Sequence, residues 1–352
     1  MGAGVLSMLD EHGPGLARRY GAPLVVTGVA ELGGAAVALD GLELGELRRA
    51  LAAGRALGEL PNVGRPAMTP LEMLAESHPD ILLEATPVNL RDGQPGLGTA
   101  LAALCAGVHV VLANKAPLAL SYDRLAALSD LADGWGGAAT TLRGGQARPR
   151  LRFSATVAGA LPVINIGWRD LAGCLITRVE AVFNGTSHSI LRAMETGQTF
   201  AEALADAQRR GIAETDPAVD IDGHDAACKL VITANAVLGQ PSTIADVSIT
   251  GIRDVSVEDV RAASQRGECL VPMCLAELQG HNYRLSVGPA SLPKDHPLAR
   301  ITPDEMSVVF YSDRVARLSA SSLEPGPEPA SASMIRDVLD IIRTQTWASG
   351  TN

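Results

Sequence analysis

Lysine is scarce in this chain: of the 29 basic residues among 352, only Lys115, Lys229 and Lys294 are lysines, and the other 26 are arginines. A guanidinium stays protonated at any physiological pH, whereas a lysine amine can be desolvated until it titrates. A lysine kept against such a background is therefore a candidate for proton transfer. Basic charge is in deficit as well. The net charge is −10 and no basic cluster offsets it, which argues against a nucleic-acid partner. No apolar run approaches the roughly 18 residues needed to cross a bilayer, and no basic segment precedes the apolar residues of Met1 to Glu11, so no membrane partner and a cytoplasmic location are expected. Five cysteines (Cys105, Cys174, Cys228, Cys269 and Cys274) form no C-x-x-C pair and mostly sit in apolar runs, as thiols do in a reducing compartment. Histidine and cysteine nowhere adopt the spacing of a transition-metal site.

What is present reads as two domains. Up to about Leu131, short β-rich runs alternate with helical patterns. Leu24 to Val29, Asp80 to Ala85 and His109 to Ala113 are continuous apolar runs suited to strands buried on both faces of a parallel sheet. Leu44 to Leu57 and Gly98 to Ala106 have helical spacing, the latter stopped by Gly107. The Gly-, Thr- and Arg-rich stretch Asp133 to Arg150 reads as a loop or strand pair at a domain boundary. Beyond it, Arg152 to Val157, Arg178 to Phe183, Asp246 to Thr250, Glu268 to Leu278 and Tyr283 to Val287 alternate in the strand sense, as in an α+β domain on an antiparallel or mixed sheet. A Pro-rich segment, Pro325 to Pro329, precedes a helix from about Ser331 to Arg343.

The richest local chemistry lies between Thr199 and Gly239. Thr199 with Glu202 makes a capping box, Gly211 ends that helix, and a second helix runs from about His224 to Leu238. The loop between them carries Glu214, Asp216, Asp220 and Asp222, a carboxylate density suited to an ammonium group or a hydrated cation, or simply to a solvated linker that caps the next helix. Asp225 and Lys229, four apart, share a helix face, and Leu230, Val231 and Ile232 follow the lysine, so its amine sits at the edge of an apolar stripe. Lys115 and Thr86 each follow a strand candidate, at the carboxyl end of a sheet where open α/β folds bind ligands.

Six motifs, in order, extend this reading over nearly the whole chain: EATPVN (Glu84 to Asn89), HVVLANKAPLA (His109 to Ala119), ATVAGALPVI (Ala155 to Ile164), NGTSHSIL (Asn184 to Leu191), AETDPAVDIDGHDAACKL (Ala213 to Leu230) and PKDHPLA (Pro293 to Ala299). With them the chain resembles the homoserine dehydrogenases. The resemblance implies a Rossmann-like α/β nucleotide-binding domain over 1–150 that the segment 303–352 rejoins, and an α+β substrate and dimerisation domain over 151–302. It implies NAD- or NADP-dependent interconversion of homoserine and aspartate semialdehyde in threonine and methionine biosynthesis, by a homodimer. Carried over by motif, Lys115, Lys229 and Asp225 are the catalytic residues; Glu214, Asp220, Asn184, Gly185 and Thr186 hold the small-molecule substrate; Gly2, Glu31, Thr86, Pro87, Asn114 and Lys115 hold the cofactor. Val157 and Gly159 match a backbone site for a monovalent cation. The two lysines and the acids are expected to converge on one small alcohol in a cleft between the domains.

The chain also departs from that pattern. The family opens on a strand and a G-x-G-x-x-G loop, whereas here Gly2 aligns with the last glycine and the first strand is missing. A start site placed too far downstream would account for it. Glu31, at a strand end with no arginine after it, leans to NAD. Ser154 stands where the family usually has Glu, SHS at Ser187 to Ser189 where it often has Asn-Tyr, and PASAS at Pro329 to Ser333 replaces a Pro-Thr-Ala-Ser-Ala-like segment. With no room for a regulatory domain after Trp347 or a kinase domain before Gly2, feedback by threonine is not expected. Two other functions fit the same residues: a catalytically silent dimeric binding or regulatory protein, and a dehydrogenase of another small amino or hydroxy acid.

Overall fold

The computed structural model describes residues 1–21, 23–133 and 147–349. The loop expected over Asp133 to Arg150 falls largely outside the described residues. The chain divides into two compact units, Met1–Thr156 with Gly326–Asn352, and Val157–Pro325.

In the first unit α1 (Gly2–Tyr20) leads to an antiparallel sheet of β1 (Gly28–Glu31), β2 (Gly34–Val37) and, after α2 (Leu44–Ala52), β3 (Gly64–Pro66). α3 (Pro70–Ser77), opened by a Thr69–Glu72 capping box, precedes β4 (Ile81–Glu84), α4 (Gly96–Cys105), β5 (His109–Leu112), α5 (Ala116–Ala127) and β6 (Leu151–Arg152). The last three strands form a parallel sheet in the order β4-β5-β6. The crossovers fit their sequences: Gly107 takes φ +82° after α4, the left-handed turn that lets the chain re-enter as β5.

The second unit holds a six-stranded mixed sheet. After α6 (Val163–Asn165) come β7 (Ile176–Val182), α7 (Gly185–Glu195), α8 (Phe200–Arg209), α9 (Ala218–Ile221), α10 (His224–Ala236), β8 (Val247–Ile249), α11 (Val257–Gln265), β9 (Glu268–Gln279), β10 (Asn282–Pro293), β11 (Glu305–Ser312) and β12 (Leu318–Leu323). The strand order is β12-β11-β7-β9-β10-β8, antiparallel except for β10 with β8. The chain then returns to the first unit as α12 (Glu328–Ser349).

Several expectations are corrected. The apolar run Leu24 to Val29 enters a ladder only from Gly28, because Thr27 and Val26 give no more than their carbonyls, to Ala38 and Leu42. Helical spacing over Leu44 to Leu57 yields a helix that stops at Ala52, since Gly54 takes φ +67°. Arg152 to Val157 is not a strand: after β6 the backbone coils, with Ser154 N–H and Oγ both bonded to Asp337 at 2.7 Å. The return to the first unit begins at Gly326, not at residue 303, because β11 pairs with β7 and β12 with β11 in the second sheet.

The core of the first unit joins Val5 and Leu9 of α1, Val111 of β5, and Met334, Ile335, Val338 and Ile341 of α12. Two ties hold α12 against β6 and the turn after it: buried Ser154 to Asp337, and Arg152 Nε to Asp340 at 2.8 Å. Ser331 of α12 donates from Oγ to the Met1 carbonyl at 3.0 Å, so α1 starts beside the first turns of α12. On its outer side β4 has no strand neighbour among the described residues, although Ile81, Leu83 and Ala85 pack with Leu24 and Val26 around the same core.

Candidate active site

In the second unit the network starts at the end of β7. Asn184 caps α7, its Oδ1 accepting the Ser187 N–H at 2.8 Å, which satisfies one of the orphan amides of the first helical turn. That fixes the side-chain amide, whose Nδ2 donates to Asp220 Oδ1 at 2.7 Å and to Asp225 Oδ2 at 2.8 Å. One asparagine thus bridges two carboxylates. Asp220 sits on α9, and the Ser187 hydroxyl holds that helix by its carbonyl at 2.9 Å. Asp225 opens α10 after Gly223, whose φ of +87° turns the chain out of α9. One turn on, Lys229 Nζ donates to Asp225 Oδ2 at 2.8 Å and to the Phe183 carbonyl at 2.6 Å.

These groups are desolvated. The Lys229 and Asp225 side chains are 12% and 9% exposed. In such surroundings a charge persists only when paired, and here the pairs are made. Burial, then the nearby Asp225 charge, push the Asp220 carboxyl up from its ordinary value, with Asn184, Thr186 and Lys229 pulling it back. Thr186 closes the loop by donating to the Ile212 carbonyl at 3.1 Å, and Gly185 lies at the first turn of α7 with open space where a Cβ would be.

The acidic loop is thereby sorted. Of its four carboxylates only Asp220 joins the network. Asp222 pairs with Arg253 at 3.0 Å, Asp216 caps the Ala218 amide at 3.2 Å, and Glu214 is exposed, its carbonyl accepting from Gln208 at 3.2 Å and its carboxylate without a hydrogen bond or ion pair among the described residues. His188, inside the NGTSHSIL motif, is fully buried, and burial with the Arg192 charge drives its pKa down to about 4, so it is neutral at physiological pH. Sequence reasoning missed Ser187 and the Phe183 carbonyl; only the helix-capping position of Asn184 could have pointed to the former.

In the first unit the cofactor candidates separate into two groups. Thr86 and Pro87 follow β4, Asn114 and Lys115 follow β5, and Asn114 Nδ2 joins them by donating to Thr86 Oγ1 at 3.2 Å and to the Pro87 carbonyl at 3.4 Å. Lys115 is half-buried at the start of α5. Glu31 ends β1, where its Oε1 accepts the Leu57 N–H at 2.8 Å. Gly2 has nothing within 4 Å of an added Cβ, whereas at Gly4 a Cβ would lie 2.5 Å from Ser331 Oγ. The close approach at the start of α1 therefore falls on Gly4, and Gly2 is not needed for it.

Val157 and Gly159 bound a turn in the second unit, with Ala158 at φ +57° and Gly159 at φ +60°. The carboxylate beside it is Glu324, which accepts from Ala160 N–H at 2.9 Å and from Ser322 Oγ at 2.8 Å. Ser154 supplies no carboxylate: its N–H and Oγ both donate to Asp337 at 2.7 Å, so a cation beside Val157 and Gly159 would rest on backbone carbonyls. Among the described residues no group of three or more His, Cys, Asp or Glu could hold a metal ion.

Comparison with known proteins places this geometry in a family. The family model "Homoserine dehydrogenase" matches residues 162–339. An NAD(+)-dependent homoserine dehydrogenase of Pseudomonas canavaninivorans is 32% identical over 329 residues, 93% of this chain and 89% of that protein. The chain belongs to the homoserine dehydrogenase family. A homoserine dehydrogenase of Methanocaldococcus jannaschii is 31% identical over 97% of this chain and 95% of its own length. Among solved structures, a homoserine dehydrogenase from Thiobacillus denitrificans superposes with a TM-score of 0.80 at 27% identity, covering 98% of this chain and 72% of that one. A hyperthermophilic archaeal homoserine dehydrogenase in complex with NADPH shares the fold, with a TM-score of 0.78 at 24% identity over 97% of this chain and 94% of that one. These relatives do not favour the silent binding protein or a dehydrogenase of another acid. Among the described residues, no helix is long and apolar enough to cross a membrane.

Proposed function

We propose that this homoserine dehydrogenase family member is an NAD(P)-dependent oxidoreductase that interconverts L-homoserine and L-aspartate 4-semialdehyde. The observation that carries the reading is the buried Asn184, Asp220, Asp225 and Lys229 network, which offers an amino alcohol both an acid for its ammonium and a cation for its oxygen. Asp220, with Glu214 on the same loop, takes the substrate ammonium, while the Asn184–Gly185–Thr186 turn sets the position of Asp220.

Oxidising a primary alcohol removes a hydride from carbon and a proton from oxygen. Thr86, Pro87 and Asn114 at the strand ends would hold the nicotinamide end of NAD or NADP, which would supply a hydride acceptor when bound, and Glu31 would hold the ribose hydroxyls, which favours NAD. The two lysines divide the rest. Lys229 uses two N–H groups on Asp225 and the Phe183 carbonyl, an arrangement that fixes its Nζ and suits it to donate a further hydrogen bond to charge developing on the substrate oxygen. Lys115 then exchanges the hydroxyl proton.

The same reading expects a cytoplasmic homodimer. Met273 and Leu275 of β9 are half-buried on the sheet face opposite the one where Cys274 meets the Ala226 carbonyl of α10, so the outer face retains apolar surface for a second copy. The testing experiment is the pH profile of kcat for wild type, Lys115→Ala and Lys229→Ala. Loss of the limb that reports the base in Lys115→Ala, with a uniform drop in Lys229→Ala, is expected. Wild-type turnover in both variants would refute the assignment.

A further inference from the structure

The carboxyl group of Glu84, which ends β4, has no part in the chemistry above. The residue is 3% exposed. Its Oε1 accepts both the backbone N–H of Thr86, at 2.9 Å, and the Thr86 hydroxyl, while Oε2 is buried without a hydrogen-bond partner among the described residues. Asn114, 1% exposed at the end of the neighbouring strand, donates to Thr86 Oγ1 and the Pro87 carbonyl, and its Oδ1 accepts the N–H of Ala116, the first residue of α5, at 3.0 Å. Gly96, the first residue of α4, completes the cluster: a Cβ there would lie 2.8 Å from Asn114 Nδ2 and 2.9 Å from Glu84 Oε1. Three elements therefore close on one buried acid that has no ion pair among the described residues.

A carboxylate in that setting is costly, and burial raises its pKa against the pull of Thr86 and Asn114. A structural tie alone could use a neutral side chain. The charge adds acceptor strength toward two donors on one residue, which fixes the turn after β4 and, through Thr86 and Asn114, the entry to α5 beside Lys115. We propose that Glu84 is a positioning residue that holds Thr86, Pro87 and Asn114 in the single arrangement that meets the nicotinamide cofactor. This rests on the reading of those residues as the cofactor's strand-end contacts.

The test compares wild type, Glu84→Gln and Glu84→Ala by NADH and NADPH titration, homoserine KM, thermal unfolding from pH 5 to 8, and amide hydrogen exchange. Loss of charged hydrogen bonds in Glu84→Ala is expected to weaken cofactor binding about tenfold or more, with homoserine KM within twofold of wild type. Glu84→Gln, which keeps an acceptor oxygen but not the charge, should recover only part of that affinity and lose its pH dependence. Because the folded pKa is raised, protonation on going to lower pH stabilises wild type relative to Glu84→Gln while weakening its cofactor binding. A filler role would instead lower the unfolding temperature and leave affinity and its pH dependence unchanged, overturning the proposal. If wild type binds neither dinucleotide, the cofactor reading itself fails. Exchange at Thr86 and Ala116 then decides: acceleration in Glu84→Ala with β5 still protected sustains the positioning role, and unchanged exchange ends it.

Discussion

The two units build their candidate sites in opposite ways. In the second, every side chain of the network has a named partner: Asn184 bridges Asp220 and Asp225, Lys229 spans Asp225 and the Phe183 carbonyl, and helices α7, α9 and α10 carry them beside a six-stranded sheet. In the first, the corresponding groups sit at the ends of a three-stranded parallel sheet whose β4 has no outer strand neighbour among the described residues, and the buried acid there, Glu84, has an oxygen without a hydrogen-bond partner among them. Side-chain pairing fixes the network of the second unit, whereas the strand-end groups of the first depend more on backbone placement in a short ladder.

Hydrogen exchange should show the largest contrast. In a parallel pair the N–H and C=O of one residue point to the same neighbour, and Asp80 and Glu84 face β5, so Ile81 and Leu83 face outward. Their amides are expected to exchange at least about a hundredfold faster than that of Val110, which donates to the Arg150 carbonyl between β4 and β6. Equal protection on both edges of β4 would erase the distinction between the units.

Next in size is Lys229→Ala, expected to lower kcat by about a thousandfold while the NAD(P)H dissociation constant stays within threefold, since the lysine belongs to the other unit from Thr86 and Asn114. Asn184→Ala removes a cap and two hydrogen bonds to carboxylates. It should raise homoserine KM roughly ten- to a hundredfold, and an unchanged KM would detach Asp220 from substrate binding.

A smaller effect belongs to Asp337, whose carboxyl burial pushes up to about 6 despite the Ser154 donors. Its unfolded value is near 3.8, so the folded state binds more protons between those limits, and stability falls as pH rises from about 4 to about 6. The loss attributable to this group is at most about 3 kcal/mol, and Asp337→Asn should flatten the curve of unfolding free energy across that interval. The smallest change is Thr199→Ala in the α8 capping box, where calorimetry should register about 1 kcal/mol and no change in turnover.

How far the sequence could be read follows the same division. The Asp225 and Lys229 pair was legible because helical spacing alone puts residues four apart on one face, and the capping box at Thr199 and the stop at Gly211 delimited the loop before it. Which acid of that loop would turn inward was not legible. Asp220 and Asp222 are two apart, and only the tertiary placement of Arg253 and Asn184 separates a surface ion pair from a half-buried member of the network. In the first unit the apolar runs of β4 and β5 announced themselves. β2 and β3 did not, being short and built largely of Gly, Ala and Pro. The run Leu24 to Val29 looked like a whole strand because its composition is right, but a ladder needs neighbours on the page of the fold as well as β-branched residues in the chain.

The most direct measurement is a product balance on the purified protein mixed with L-homoserine and NAD or NADP. Reduced dinucleotide and aspartate semialdehyde should appear in equal amounts, with neither formed by Lys229→Ala at a comparable rate. A wild-type protein that binds homoserine yet yields no aldehyde with either dinucleotide would contradict the account.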